Sequence, residues 1–396
     1  MTLGAELDHE PLSRSETIDF VAVMDSALRF APEQLAAESR QAQTNLYQEV
    51  GSSWFAGAPT LETSFYDDKA LTSVGLRELE AGLRLPLWQW GQRGMAQDLG
   101  RHFQDLTDAW NANLALAVAG RVRANLADLQ EADAMLDLEA EATAATASLL
   151  DLTQTLFAIG EVPRLDVMQA QSLLLEQQRM QYEAEGALVD AEWEYQILTG
   201  LSVRPQDNYR ERQSGESEID MTHPMLRFMQ ATLEVARSRV DQAQRENATN
   251  PTLGFGVRRE RAGRMDDYID SLSVSLSIPI GRSQRVATAV SGARRDVADV
   301  EVALRRARQQ LESTLHEAEH SLYVVRQQLE VSRTRATLAG ERLQMSRSAY
   351  ELGEADLLSV TAALQEAVRS RQGLRELELR EQRLISDYNQ SLGIMP

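Results

Sequence analysis

The chain has 396 residues, with 60 acidic side chains against 40 Lys and Arg, a formal net charge of −20, no cysteine and 43% hydrophobic residues. The acid excess argues against a nucleic-acid partner, because phosphate binding needs clustered Lys and Arg to release counterions. The missing cysteine excludes a disulfide scaffold, a thiolate metal site, a Cys nucleophile and lipid attachment through cysteine, and no run of about 18 apolar residues is present to make a spanning helix.

The ten prolines carry the first organising signal. Pro32, Pro59 and Pro86 recur as Pro224, Pro251 and Pro279 at offsets of 192, 192 and 193. Gly160-Glu161 maps onto Gly353-Glu354, Val167 onto Val360 and Gly200 onto Gly393, each at 193. The spacing predicts one unit written twice, a pseudo-symmetric fold and not a solenoid of short repeats.

In chain order, residues 1–16 read as an N-terminal tail. Met1 to Arg14 holds Glu6, Asp8 and Glu10 and has neither the basic start nor the apolar centre of a secretory leader, which taken literally predicts a soluble cytoplasmic protein. Residues 17–200 read as the first repeat: a helix, a β-hairpin over 60–85, a long helix and a second helix. Trp90 to Ile159 lacks proline and is rich in Ala, Leu, Glu, Gln, Asp and Arg, strong helix formers; at 1.5 Å per residue such a helix is about 100 Å long. After a break at Gly160 to Pro163 a further helix runs to Gly200. Residues 201–221, polar and containing Pro205 and Gly215, read as the linker. Residues 222–394 repeat the order, with a hairpin over 252–278, a long helix over Arg282 to Leu352 and a last helix to Gly393. Leu304/Arg308, Leu311/Leu315, Ala318/Leu322 and Val325/Leu329 form a heptad with an imperfect start, the pattern of helices packed side by side.

Between the prolines the period changes to two. Leu79, Ala81, Leu83 and Leu85 alternate with Glu78, Glu80, Gly82 and Arg84, Leu253, Phe255 and Val257 alternate with glycines, and Leu272, Val274 and Leu276 alternate with Ser271, Ser273, Ser275 and Ser277. Strands of roughly 8 to 11 residues are the length that crosses a bilayer when tilted. The alternation by itself equally allows a soluble sheet packed on a core. The long helices offer no such core, and an open sheet edge cannot stand in lipid. Four strands cannot close a barrel, so closure needs several chains; three would supply twelve strands. Glu78, Glu80, Arg84 and the serines 271, 273, 275 and 277 are then expected to line the lumen. Odd-numbered apolar residues of the first repeat and even-numbered ones of the second, up to Ile278, are expected to face lipid, with Trp88, Trp90 and Tyr66 in an aromatic girdle.

These features together resemble the TolC-like outer membrane efflux proteins. The resemblance rests on the duplicated order, on Ala31-Pro32 and His223-Pro224, on the strand exits Leu85-Pro86-Leu87 and Ile278-Pro279-Ile280, and on the helix breaks AIGEVPRLDVMQA from Ala158 and ELGEADLLSVTAA from Glu351. It implies a mainly α fold with membrane β: a long coiled-coil helical barrel, and four strands per chain joining a homotrimeric twelve-stranded β-barrel. It further implies no enzyme and no cofactor, a place in the outer membrane of a Gram-negative bacterium with a periplasmic extension, and a passive exit duct for a tripartite system. The implied partners are a periplasmic adaptor and an inner-membrane pump, with the compact halves leaning to the resistance-nodulation-division type. On that resemblance the missing leader implies that the chain begins after, or without, its native signal.

By the same resemblance Ile159, Gly160, Glu161 and Val162, with Leu352, Gly353, Glu354 and Ala355, are the tips that meet the adaptor, although any helical hairpin also needs a glycine cap. Asp166, Tyr350, Glu351, Asp356, Ser359 and Ala362 mark the periplasmic entrance. Ser359 and Ala362 stand where the best-known members carry an acidic ring, and Ala355 stands where a basic partner of Tyr350 is expected; Asp356, Glu354, Glu351 and Glu161 are the acids left to make a negative mouth. His316-Glu317-Ala318-Glu319-His320 matches the HExxH pattern of zinc proteases, but it sits on a long heptad helix with no evident third ligand, so a solvated helix face is the expected reading and no metal site is assigned. His9 and His102 are expected at the surface. A soluble or periplasmic coiled-coil structural or adaptor protein is the alternative that the sequence leaves open.

Overall fold

The computed structural model describes residues 11–206, 209–245, 250–280 and 284–396. Most of the tail over 1–16, including His9, lies outside the described residues, as does the start of the long helix predicted from Arg282. The chain divides into two compact units, one of Met1–Gln34, Leu114–His223 and Gln309–Pro396, the other of Leu35–Asn113 and Pro224–Arg308.

The element order is β1 (Ser13–Ser15), α1 (Phe20–Phe30), α2 (Gln34–Ser52), β2 (Thr60–Asp67), β3 (Arg77–Pro86), α3 (Gln92–Ile159), α4 (Arg164–Thr199), β4 (Val203–Pro205), α5 (Pro224–Arg245), β5 (Thr252–Arg261), β6 (Ile269–Ser277), α6 (Gln284–Glu351) and α7 (Leu357–Ser391). The two long helices are continuous over 68 residues each. Among the described residues no helix is apolar enough to cross a membrane. Among the described residues the first repeat has one helix more than the second: α1 starts where the Asp19 carboxylate accepts the Ala22 N–H at 2.9 Å, ends before Pro32, and has no counterpart before Pro224.

In the first unit, α3, α4, α6 and α7 pack through seams of period seven. On α6 a seam of buried or half-buried positions runs 311, 315, 318, 322, 325, 329, 332, 336, 339, 343, 346 and 350, alternate steps of four and three, with 321, 340 and 349 half-buried beside it, while Arg308 is exposed. Leu315, Ala318 and Leu322 meet Ile385 and Tyr388 of α7 and Leu392, which caps it. Glu139 of α3 accepts from Gln177 of α4 and, at 2.5 Å, from Gln372 of α7, so one buried carboxylate ties three helices.

The segment over 201–221, expected as a linker, is held down along much of its length. Val203–Pro205 pairs in parallel with Ser13–Ser15, a contact between sequence-distant triplets that no local pattern announces. Arg204 is buried and bonds Asp133 at 2.5 and 3.0 Å and Glu192 at 3.1 Å. Tyr209 stacks on Phe20 with centroids 4.1 Å apart, and Glu211 receives the Arg123 guanidinium at 2.7 and 2.9 Å.

In the second unit the strands form one antiparallel sheet in the order β2-β3-β5-β6. Beside it α2, α3 and α5 pack around Leu99, Phe103 and Val235, with Tyr47 and Phe103 stacked at 4.0 Å. His102 is half-buried here and shares a 2.6 Å hydrogen bond with Ser238, so it is not the free surface residue that its isolation in sequence suggests.

Candidate functional site

The sheet is amphipathic across all four strands. Its register sets Leu61, Leu83, Phe255 and Val274 in one row and Thr63, Ala81, Val257 and Leu272 in the next. Residues opposite one another in antiparallel strands share a face, so these rows make a continuous apolar surface, and its side chains are largely exposed. On β5 the apolar residues are the odd-numbered Leu253, Phe255 and Val257. The even-numbered expectation for the second repeat therefore holds on β6 and is wrong on β5, because the turn between them reverses the parity. Tyr66 pairs with Glu78 and so lies on the opposite, polar face; β2 shows Phe65 to the apolar side instead.

The polar face gathers Glu78, Glu80, Arg84, Ser271, Ser273 and Ser275, with Ser277 at the end of β6. Arg258, which alternation with Val257 places on this face but to which the sequence assigns no role, organises it: its Nε lies 2.7 Å from Glu78 and 3.6 Å from Glu80, and its Nη2 meets Glu260. Arg84 pairs with Glu62 at 2.9 Å, and Ser64 donates to Glu80 at 3.2 Å. Gly254 and Gly256 face Ser275 and Ser273; a Cβ there would fall 2.4 and 2.8 Å from the serine Oγ atoms, so this strip carries only small groups. A 540 Å³ hollow lies over this surface.

The tips belong to the other unit. Helix α3 ends in a Schellman motif, with the Gly160 N–H on Phe157 O at 3.0 Å and the Glu161 N–H on Leu156 O at 3.0 Å. Helix α6 ends in the same motif, Gly353 on Tyr350 O at 3.1 Å and Glu354 on Ala349 O at 2.8 Å. The glycines have φ of +84° and +74°, a conformation that costs any residue with a Cβ. Both turns carry an uncovered apolar side chain, Ile159 at 67% and Leu352 at 74% exposure, and Glu161 and Glu354 are exposed beside them. Val162 and Ala355 are half-buried against the helical core.

The residues assigned to the entrance divide between core and surface. Tyr350 is 2% exposed and packs with Leu149, Leu156, Ala170, Leu357, Val360 and Leu364. Its hydroxyl donates to Thr153 Oγ1 at 3.4 Å, and burial pushes its ionisation up, with the Asp166 charge adding to the effect. Asp166 is half-buried in the first turn of α4. Asp356 caps α7 by accepting the Ser359 N–H at 2.8 Å, and Glu351 pairs with Arg347 at 3.3 Å; Ser359 and Ala362 are exposed. Thr153 and Glu139, missed in sequence, lie with Thr146 at spacings of seven on α3 and are all buried, and that polar recurrence within a seam was the signal available.

Two exposed apolar stripes also repeat every seven residues: Met168, Leu175, Tyr182 and Val189 on α4, and Val331, Leu338 and Met345 on α6 with Leu352 just past its end. Each lies on the side of its helix turned away from the buried seam. His316 and His320 are exposed with ring centroids 6.5 Å apart, and among the described residues no group of three or more His, Asp or Glu side chains is placed to hold a metal.

Residues 26–200 match the family model described as outer membrane efflux protein. No curated protein matches the chain by sequence. Several solved structures share its fold. The outer membrane protein VceC from Vibrio cholerae aligns at 14% identity over 94% of this chain and 95% of its own, with a TM-score of 0.75. CusC, described in connection with transmembrane channel formation, aligns at 17% identity over 98% and 96%, with a TM-score of 0.75. The CmeC outer membrane channel of Campylobacter jejuni aligns at 15% identity over 98% and 90%, with a TM-score of 0.71. With a family match over the first repeat and that fold over nearly its whole length, the chain is similar to the TolC-like outer membrane efflux proteins.

Proposed function

We propose that three copies of this chain close their sheets into one twelve-stranded barrel in the outer membrane of a Gram-negative bacterium, continued by a helical periplasmic tunnel. The assembly acts as the passive exit duct of a tripartite efflux system. The observation that carries this reading is the sheet itself: one face apolar and exposed over four strands, the other polar, and both edge strands, β2 and β6, open among the described residues. Unpaired edges cannot be left in lipid, so further copies are the physical remedy, and barrel strands alternate apolar-out and polar-in. The exposed heptad stripes on α4 and α6 support the same reading, since each helix in a closed ring needs a seam on both sides.

The two Schellman turns, with Ile159 and Leu352 uncovered, are the surfaces we assign to docking on a periplasmic adaptor, which couples the duct to an inner-membrane pump of the resistance-nodulation-division type. Asp166, Tyr350, Glu351, Asp356, Ser359 and Ala362 are assigned to the entrance, with Tyr350 acting from within the packed core. The test is purification of the full chain followed by native mass measurement in detergent and single-channel recording in a planar bilayer. A trimer that conducts is expected; a monomer that stays in solution without detergent overturns the proposal.

A further inference from the structure

The apolar face of the sheet does not stay apolar to its end. In the two rows nearest the hairpin turns, the pairings Arg77 with Arg261 and Leu79 with Arg259 put three arginines on the face that carries Val257 and Phe255. Tyr268 gathers two of them, with the Arg259 guanidinium 4.9 Å and that of Arg261 5.1 Å from its ring centroid. Asp67 takes Arg77 at 3.0 Å and Asp270 takes Arg259 at 3.4 Å. Arg261 forms no ion pair among the described residues. Three guanidiniums against two carboxylates leave one positive charge in excess on this face, beside turns that carry Lys69 and Arg264 with Asp68, Asp266 and Asp267.

On the barrel reading above, this face meets lipid. Arginine on a lipid face costs about 2–4 kcal/mol at the bilayer midplane and little near the interface, so the patch belongs at headgroup depth. The hairpin turns lie at the strand ends away from the connections to the helices, which on that reading is the outer leaflet, whose glycolipids carry phosphates. Guanidinium groups bind phosphate oxygens in bidentate fashion. Arg77, Arg259 and Arg261 sit on the middle strands β3 and β5, clear of the edges that neighbouring copies would take.

We propose that Arg77, Arg259 and Arg261 form a binding site, one per protomer, for a phosphate of an outer-leaflet glycolipid headgroup. The proposal rests on the barrel reading and is tested by titrating the full-length detergent-solubilised protein with bisphosphorylated lipid A, with its dephosphorylated form and with inorganic phosphate, read by native mass spectrometry. Lipid A is expected to be retained, and retention to fall about ten- to hundredfold in R259Q/R261Q and on dephosphorylation, the loss of charge-assisted hydrogen bonds. The exposed helix variant R295Q is expected to retain it. Equal retention by R259Q/R261Q, or of the dephosphorylated lipid, overturns the proposal; displacement by equimolar inorganic phosphate overturns the lipid as the source. A parallel insertion into phosphatidylcholine vesicles separates the failures: a trimer that inserts but does not discriminate sinks only this site, whereas failure to trimerise or insert sinks the barrel reading and the site with it.

Discussion

Arg123 of α3 holds Glu211 of the inter-repeat segment through two N–H···O bonds of 2.7 and 2.9 Å, with both side chains more than nine-tenths buried. Arg123 also donates to Gln390 Oε1 at 2.5 Å and to Ile394 O at 3.0 Å, and Asn389 donates to Glu211 at 2.7 Å. Removing one partner of such a pair strands a buried charge, so Arg123→Met is expected to cost about 3–5 kcal/mol. The double variant Arg123→Met/Glu211→Leu is expected to cost less than the single, because no unpaired charge is left. Burial alone would raise the Glu211 carboxyl, but the bonds from Arg123 and Asn389 outweigh it and hold it below its ordinary 4.5. A depressed carboxylate stabilises the fold fully above that value and loses the contribution as pH falls through the folded one. Denaturation midpoints across that range should drop less in Glu211→Gln than in the wild type; equal slopes would refute the assignment.

This network shows where sequence reading stops. Proline spacing exposes the duplication, alternation exposes the strands, and the heptad exposes the α6 seam from Leu311 onward, because each is a local period imposed by backbone geometry. The segment over 201–221 is polar and broken by Pro205 and Gly215, so it reads as a solvated linker; that Arg204 and Glu211 are buried depends on Glu192 at the end of the preceding helix and on Asp133 and Arg123, far away in sequence. Parity on β5 and the polar-facing Tyr66 were lost for a related reason: alternation assigns two faces within a strand, but only the register across a turn says which face matches the neighbour's. The tip glycines were legible as breaks, while the burial of Tyr350 required the surrounding four helices.

His223 closes the turn before Pro224, its N–H donating to Asp220 O at 3.1 Å, and it is 4% exposed. Burial disfavours the imidazolium and lowers its ionisation below the ordinary 6.5. The unfolded chain therefore binds the proton first, so stability is intact above 6.5 and falls as pH drops through the folded value. Thermal unfolding at about pH 7.5 and about pH 5.5 should show a larger decrease for the wild type than for His223→Gln. A wild-type midpoint unchanged between the two would exclude a buried neutral histidine.

Tyr350 acts mainly through packing. Its hydroxyl makes one long bond to Thr153, which separately donates to Leu149 O at 2.8 Å. Tyr350→Phe is expected to cost under about 1 kcal/mol, whereas Tyr350→Ala opens a cavity among Leu156, Leu357 and Val360 and is expected to cost about 3–5 kcal/mol. Chemical denaturation of the two variants measures both; a Phe substitution as costly as Ala would transfer the role to the hydroxyl.

Gly353 and Gly186 offer the same substitution with opposite signs. A Cβ would meet nothing within 4 Å at either position, but Gly353 has φ of +74° while Gly186 lies within α4. Gly353→Ala therefore meets only backbone strain, about 1–2 kcal/mol for a left-handed residue, and amide exchange over 349–356 should accelerate. Gly186→Ala is expected to stabilise by about 0.5–1 kcal/mol. Equal signs for the two would mean that the α6 tip does not hold the Schellman turn.

On the proposed barrel, the polar face of the sheet sets the expected ion preference. Glu62, Glu78, Glu80 and Glu260 stand against Arg84 and Arg258, an acid excess within each protomer that three copies would multiply around the proposed lumen, and rings of carboxylates favour cations. Arg258 is the more consequential of the two bases, because three of the four carboxylates lie within 4 Å of its guanidinium. Arg258→Gln frees all three, so the reversal potential in a salt gradient should move further toward the cation. Glu78→Gln/Glu80→Gln should move it back toward zero. Both shifts should shrink at high salt, where the Debye length falls to about 3 Å at 1 M. Unchanged selectivity in both variants would place this face away from the conduction path and remove the polar surface from the lumen.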